Sequence, residues 1–249
     1  MASGRPPTTS TTVGHEPLAV EASSSGIESA LNRHSEAADR VLDRAGLLPR
    51  VLKRASDLIL ATLGLVLTSP IIVLAVIAVA AIERQAPFYR DARIGLRGVQ
   101  FRCLKLRTMR SDPAILEAYL AANPGEAEAY HRMRKLQYDP RITRVGQFLR
   151  KTSIDELPQL WNVLIGDMSV VGPRPLAPAE FRTRGKDGHP LTLVRPGLTG
   201  LWQVRGRSDL TLAQRIDLDN YYAQEWTLAL DLLILLQTPW AVLTARGAR

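Results

Sequence analysis

The chain has 249 residues and 46% hydrophobic side chains, enough for a sizeable core in one or two domains and too many for a disordered, collagen-like or coiled-coil chain. A single cysteine, Cys103, excludes an intramolecular disulfide framework and any multi-cysteine metal site. The net charge of +8 calls for acidic partners, and because residues 1–52 hold five basic against six acidic side chains, the whole excess falls in 53–249.

Residues 1–26 are rich in Ser, Thr, Gly, Ala and Pro and are expected to form a disordered tail. No basic start leads into an apolar run, so no signal peptide is expected. Residues 27–50 space Ile27, Leu31, Ala38, Val41 and Leu42 as a weak amphipathic helix or linker that ends near Pro49.

Leu58 to Ile82 is a run of 25 residues without a charge. As one straight helix it would reach about 37 Å, enough to cross a bilayer core of about 30 Å. By length alone it reads as a transmembrane helix. Two features oppose this. Ser69-Pro70 lies at its midpoint, and a proline there removes a backbone donor and kinks or breaks a helix. Basic residues stand on both flanks (Arg44, Arg50, Lys53 and Arg54 before, Arg84, Arg90 and Arg93 after), and one crossing cannot keep both in the cytoplasm. A re-entrant helix–break–helix over about 55–83 can, with Thr68 and Ser69 bonding the carbonyls that Pro70 frees.

Two strands are expected next, Pro87 to Gly95 and Val99 to Arg107, joined by Gly95-Leu96-Arg97-Gly98 as a small hairpin. Residues 113–137 are helical in character and interrupted at Asn123-Pro124-Gly125. Leu228 to Leu243 is a second apolar run, but Asp231, Gln237 and Pro239 make it fit the membrane surface or the core better than a crossing.

The sharpest chemical candidate is Thr152-Ser153-Ile154-Asp155-Glu156-Leu157-Pro158. Ser153 and Glu156 fit a capping box, or Asp155 is itself the N-cap, with Pro158 then harmless as the third helical residue. In either register the helix runs to about Ile165 and stops at Gly166. Local sequence alone favours a cap. Yet a carboxylate at a helix N-terminus should stay ionised, a state fit for a nucleophile or a metal ligand. Basic residues recur around it: Lys105 and Arg107 in KLRTM, Arg150 and Lys151 just before it, Arg174 in GPRP, Arg205 and Arg207 in QVRGR. Guanidinium forks beside prolines and glycines suit diphosphate oxygens. Nucleotide-binding and hydrolase glycine motifs are absent, the four histidines lack ligand spacing, and aromatics at 6% are too sparse for base stacking. Nucleic acid is therefore not the expected partner.

The segments KRASDLILATLGLVLTSPIIVLAVIA, KLRTM, DPRITRVGQFLRKTSIDELPQLWNVLIGDMSVVGPRP and RPGLTGLWQVRGR resemble the bacterial sugar transferases, monotopic polyprenol-phosphate phosphoglycosyltransferases, in the family's order from Val51 to Leu243. The resemblance implies one α/β monotopic membrane-associated domain over 51–245, with the re-entrant helix, the β-hairpin and several short helices. It implies transfer of a sugar 1-phosphate from a UDP-sugar to undecaprenyl phosphate with release of UMP and Mg²⁺ as cofactor. That reaction is the first membrane step of exopolysaccharide, lipopolysaccharide or other glycoconjugate synthesis on the cytoplasmic face of the bacterial inner membrane.

Carried over by position, Asp155 resembles the nucleophile of a covalent phosphosugar intermediate and a metal ligand, Glu156 its dyad partner, and Lys105 a catalytic basic position that lines the site and holds phosphate. Arg107, Arg150, Arg174 with Pro175, and Arg207 resemble substrate-binding positions, and Ser69-Pro70 the hairpin break. The 113–137 insertion is similar to one in the larger hexose-1-phosphate transferases, whose four membrane helices have no counterpart here; it tilts the expected donor to UDP-glucose or UDP-galactose. A catalytically silent membrane scaffold of a polysaccharide-assembly complex is the alternative, opposed by the intact dyad. Homodimerisation stays open.

Overall fold

The computed structural model describes residues 46–133, 136, 138–184, 190–206 and 209–243. The tail, most of the 27–50 helix and Arg207 lie outside the described residues. The apolar run and its basic preamble form one helix, α1 (Leu47–Ile82), of 36 residues. It is not divided at Ser69-Pro70 as expected: helical backbone runs through Pro70. The reason is local. Pro70 has no N–H for the Val66 carbonyl four residues back, and the Ser69 hydroxyl donates to that carbonyl at 2.8 Å instead. Thr68 donates to Gly64 O at 2.7 Å, one turn earlier.

One stripe of α1, Asp57, Ala61, Ala75 and Val79, is buried, at the spacing of one helix face. The rest is apolar and open: Leu63, Val66, Leu67, Val73, Leu74 and Ile77 are each more than half exposed. An exposed apolar surface of that extent marks contact with a membrane or another protein.

The hairpin follows as expected, within a residue at each end. Strands β1 (Phe88–Ile94) and β2 (Gln100–Leu106) are antiparallel, with Tyr89 opposite Lys105, Asp91 opposite Cys103 and Arg93 opposite Phe101. The turn between them carries Arg97 and Gly98 at positive φ. Burial pushes the Cys103 thiol up to about 11, so this cysteine is inert core. Strand β2 also ties both halves of α1 to one body. Phe101 and Cys103 pack with Ala61, whereas Leu106 packs with Ala75 and Val79.

The insertion forms two helices, α2 (Pro113–Ala122) and α3 (Pro124–Met133), parted at Asn123 as the Asn-Pro-Gly sequence suggested. Helix α4 (Arg144–Thr152) is capped by Thr143, whose hydroxyl accepts the Gly146 N–H at 2.9 Å. A Cβ on Gly146 would overlap the Thr108 carbonyl, so α4 lies directly against the KLRTM segment. Helix α5 (Gln159–Ile165) ends at Gly166, at φ 95°.

A second sheet escaped the sequence reading. Strands β3 (Ser169–Val171) and β4 (Gly197–Thr199) pair in parallel, with α6 (Pro178–Arg184) between them in sequence. Their backbones approach so closely at Gly172 and Gly197 that a side chain at either would overlap the other strand. Short α7 (Leu201–Arg205) leads to α8 (Leu212–Gln224), which starts with a full capping box between Thr211 and Gln214.

The C-terminal run forms α9 (Leu228–Leu243), which buries Ile234 and leaves Leu232, Leu233, Leu236 and Trp240 exposed. Its charges are not blemishes. Asp231 is 5% exposed and pairs with Lys53 of α1 at 2.8 Å, while accepting from Tyr222 OH at 2.6 Å and Trp226 Nε1 at 3.1 Å. Asp57 accepts from Ser169 Oγ and from the Val170 N–H. This buried network, each charge with partners, pins the start of α1 to β3 and α9.

Candidate active site

Asp155 and Glu156 lie on a single 3-10 turn, Ile154–Glu156, between α4 and α5. Neither expected cap register is present. Helix α4 runs up to Thr152, and Ser153 closes it in the left-handed conformation at φ 58°. Ser153 therefore ends one helix rather than starting the next, and no side chain caps the 3-10 turn. Pro158 sits at the junction ahead of α5. The consequence is chemical: the Asp155 carboxylate is not consumed in capping. Among the described residues it takes a hydrogen bond from its own backbone alone.

The neighbours come from β2, α4 and the loop after β3. Lys105, near the end of β2, donates to Glu156 Oε1 at 2.8 Å. Three residues on, the Thr108 carbonyl accepts the Thr143 N–H at 3.1 Å, and its hydroxyl accepts from Arg150 Nε at 2.9 Å. KLRTM and α4 are thus stitched together beside the dyad. Arg174 and Pro175 lie in the GPRP loop between β3 and α6. Gly172 N–H donates to Thr199 O and Gly197 N–H to Pro173 O, so β4 holds the loop from below.

The two carboxyls titrate apart. Burial raises Asp155 to about 6, with the negative charge of Glu156 adding to it and Lys105 and Arg150 opposing. The expectation from a helix N-terminus was a plainly ionised acid; the observed carboxylate is ionised at neutral pH but more basic than usual. For Glu156 burial also pushes upward, yet the charge and hydrogen bond of Lys105, with Arg174 and Arg93 behind them, prevail and hold it below the usual range. Its side chain is 47% exposed, so this carboxylate reaches solvent while gripped by Lys105. Two adjacent acids thus sit in divergent environments: one anion fixed by Lys105 and one more basic carboxylate with no side-chain partner among the described residues.

Arg93 was read only as a charge flanking the membrane segment. It chelates Asp91 through Nε and Nη2 and donates from Nη1 to Pro175 O at 3.0 Å, joining the hairpin to the GPRP loop. Its usable signal was strand parity, since Tyr89, Asp91 and Arg93 share the hairpin face that carries Lys105. Arg107 is not with the dyad. It donates to Ala86 O at 2.8 Å and to Ser111 Oγ, and lies over the Tyr89 ring, clamping the entrance of β1.

No group of three or more His, Cys, Asp or Glu side chains that could cage a metal occurs among the described residues. The donor set still fits Mg²⁺, which keeps several waters and binds through one or two carboxylates plus substrate phosphates. Asp155 would be the oxygen donor for such an ion, with Glu156 its exposed neighbour.

A family model described as "Bacterial sugar transferase" matches residues 48–245. The exopolysaccharide production protein ExoY of Rhizobium meliloti (strain 1021) is 44% identical over 197 residues, covering 79% of this chain and 87% of that protein. A protein of Caulobacter vibrioides named UDP-glucose:undecaprenyl-phosphate glucose-1-phosphate transferase is 42% identical over 217 residues, covering 82% and 75%. The UDP-galactose-lipid carrier transferase of Erwinia amylovora is 42% identical over 200 residues, covering 80% of this chain but 42% of that longer protein.

Proposed function

The chain belongs to the bacterial sugar transferase family, and on that premise we propose that it moves a hexose 1-phosphate from a UDP-sugar to undecaprenyl phosphate in two steps at Asp155. The observation that carries the proposal is the uncapped Asp155 carboxylate beside the Lys105–Glu156 pair. In the first step an Asp155 oxygen attacks the phosphorus bonded to the sugar. The aspartyl O–P bond forms, the bridging P–O bond to the other phosphorus breaks, and UMP leaves with the bridging oxygen. In the second, an oxygen of the lipid phosphate attacks the same phosphorus, the aspartyl bond breaks, and the sugar is left on a lipid diphosphate.

A soluble donor and a membrane-borne acceptor thus never need to be bound together. Lys105 and Glu156 form a fixed ion pair at the edge of the turn. Arg150 and Arg174 supply positive charge where the transferred phosphoryl develops its own negative charge. By its place in the family's motif, Arg207 is proposed to bind the nucleotide. When bound, Mg²⁺ offsets the charge of the donor diphosphate, held by Asp155 with help from Glu156. UDP-glucose or UDP-galactose is the proposed donor, supported by relatives named for both sugars.

The site belongs on the cytoplasmic leaflet of the inner membrane. Both halves of α1 pack on one body through β2, which supports a continuous helix that bends at Pro70 and keeps both ends on one leaflet rather than one that crosses. Reporters fused after residue 52 and at residue 249 should both read as cytoplasmic; opposite sides would refute the monotopic arrangement.

Purified protein in detergent with undecaprenyl phosphate, Mg²⁺ and a panel of UDP-sugars should release UMP from UDP-glucose or UDP-galactose. No UMP from any donor would favour a silent scaffold. The acid side of the pH profile is also set. Asp155 must be ionised to attack, and its carboxyl has been raised to about 6. Accordingly kcat/KM for the donor should be level near pH 8 and fall about tenfold per pH unit below about 6. A limb near 4, the ordinary carboxyl range, would show that another group limits the reaction.

A further inference from the structure

The outer edge of β2 needs partners that the hairpin cannot supply. In the antiparallel ladder, Gly95 N–H donates to Val99 O and Arg107 N–H donates to Pro87 O. By alternation, the N–H and C=O groups of Arg102 and Leu104 face away from β1. An unpaired edge of this kind invites slippage and costs free energy if buried. Across from it lies α5, and one α5 side chain meets both residues. Asn162, 2% exposed, accepts the Leu104 N–H at 2.9 Å on Oδ1 and donates from Nδ2 to Arg102 O at 2.8 Å. Nδ2 also donates to Asp167 Oδ2 at 3.1 Å. The amide thereby takes the place of a third strand's peptide group.

We propose that Asn162 is a positioning residue whose amide sets the register of the dyad turn against β2, so that Lys105 meets Glu156. The residue bonded by Asn162 Oδ1, Leu104, immediately precedes Lys105. The helix carrying Asn162 follows directly on the turn carrying Glu156. Two opposed hydrogen bonds on one rigid amide fix that separation along the strand as well as across it. Helix packing alone is more permissive, because apolar contacts are non-directional. Val163 of α5 and Met168 just beyond it pack against Phe101 and Cys103 of the hairpin, contacts that do not involve the amide. Asn162 acts through Lys105 and touches no reacting atom, and its role in transfer rests on the reading of the dyad given above.

The test compares Asn162→Leu, similar in size but without the amide, and Asn162→Asp, which keeps the acceptor and loses the donor. The first readout needs no activity. Lysine side chains of the full-length protein are acetylated with acetic anhydride, and each site's rate is followed by peptide mass spectrometry. Lys105 engaged with Glu156 should react slowly, and the leucine variant should acetylate it about tenfold faster as two hydrogen bonds are lost. Asn162→Asp should fall between.

Lys53, locked in the separate network with Asp231, is the internal control and should not change. An unchanged Lys105 rate, or an equal rise at Lys53 and Lys105, would overturn the proposal, the second by revealing general loosening. If the leucine variant does not fold, the aspartate variant carries the same comparison. The second readout is transfer: the leucine variant should lower kcat/KM for the donor, and the aspartate variant should lower it less. An unchanged kcat/KM in the leucine variant would also overturn it. A wild-type protein inactive with every donor would refute the transferase reading while the acetylation rates still decide the role of Asn162.

Discussion

Asp155→Asn is expected to reduce UMP release to the floor of the assay, a loss of about 10⁴-fold or more. The side chain keeps its shape and its place on the Ile154–Glu156 turn, so the fold should survive. What disappears is an ionised carboxylate of raised basicity that has no side-chain partner among the described residues. The original expectation from local sequence was that this carboxylate caps a helix. Had it done so, the substitution would be mild, because Asn caps as well as Asp. The structure removes that refuge, since Ser153 ends α4 and nothing caps the turn. A variant that keeps more than a few per cent of wild-type transfer would return Asp155 to a structural role.

Lys105→Met is expected to lower kcat/KM by about 10²- to 10³-fold, the range for removing one preorganised charge from a phosphoryl or oxyanion site. A second signature separates this from simple destabilisation. Lys105 lowers the pKa of both dyad members, opposing their burial. Without it both carboxyls bind protons more readily, and the acid limb of the profile must move to higher pH. The sign is unambiguous, because a positive charge is removed from beside two anions. A slower enzyme with an unmoved limb would mean that Lys105 does not act on the dyad.

Much of this site could be read from the chain before any coordinates. Alternation of Val99, Phe101 and Cys103 predicted the hairpin, and the hairpin delivers Lys105. The uncharged run predicted α1, and of the two hydroxyls expected on the carbonyls that Pro70 frees, Ser69 takes that role while Thr68 bonds Gly64 O instead. What was misjudged there is the consequence. A serine that donates to Val66 O repairs the ladder well enough for helix to continue, so a sequence break need not be a structural one.

Other features were hidden for physical reasons. Strands β3 and β4 have three residues each and are separated by more than 20 residues in sequence, which leaves no periodicity to detect. Lys53, Asp57 and Asp231 looked like charges around apolar runs, yet they pair across the body once α1 and α9 meet. Arg107 follows Lys105 by two residues and seemed equally placed. Strand β2 ends at Leu106, and the Arg107 guanidinium turns back to the entrance of β1. Asn162 gave no signal at all, because the need it meets arises only when the edge of β2 is formed.

The central claim is covalent chemistry at Asp155, and one measurement addresses it most directly. Wild-type protein is incubated with UDP-glucose or UDP-galactose and Mg²⁺ in the absence of any lipid acceptor, then quenched, digested and analysed by mass spectrometry. The account predicts one hexosyl phosphate on the peptide containing Asp155, with an equal amount of UMP formed, and loss of the adduct when undecaprenyl phosphate is added. UMP that forms only when donor and acceptor are both present, with no adduct on that peptide, would contradict it.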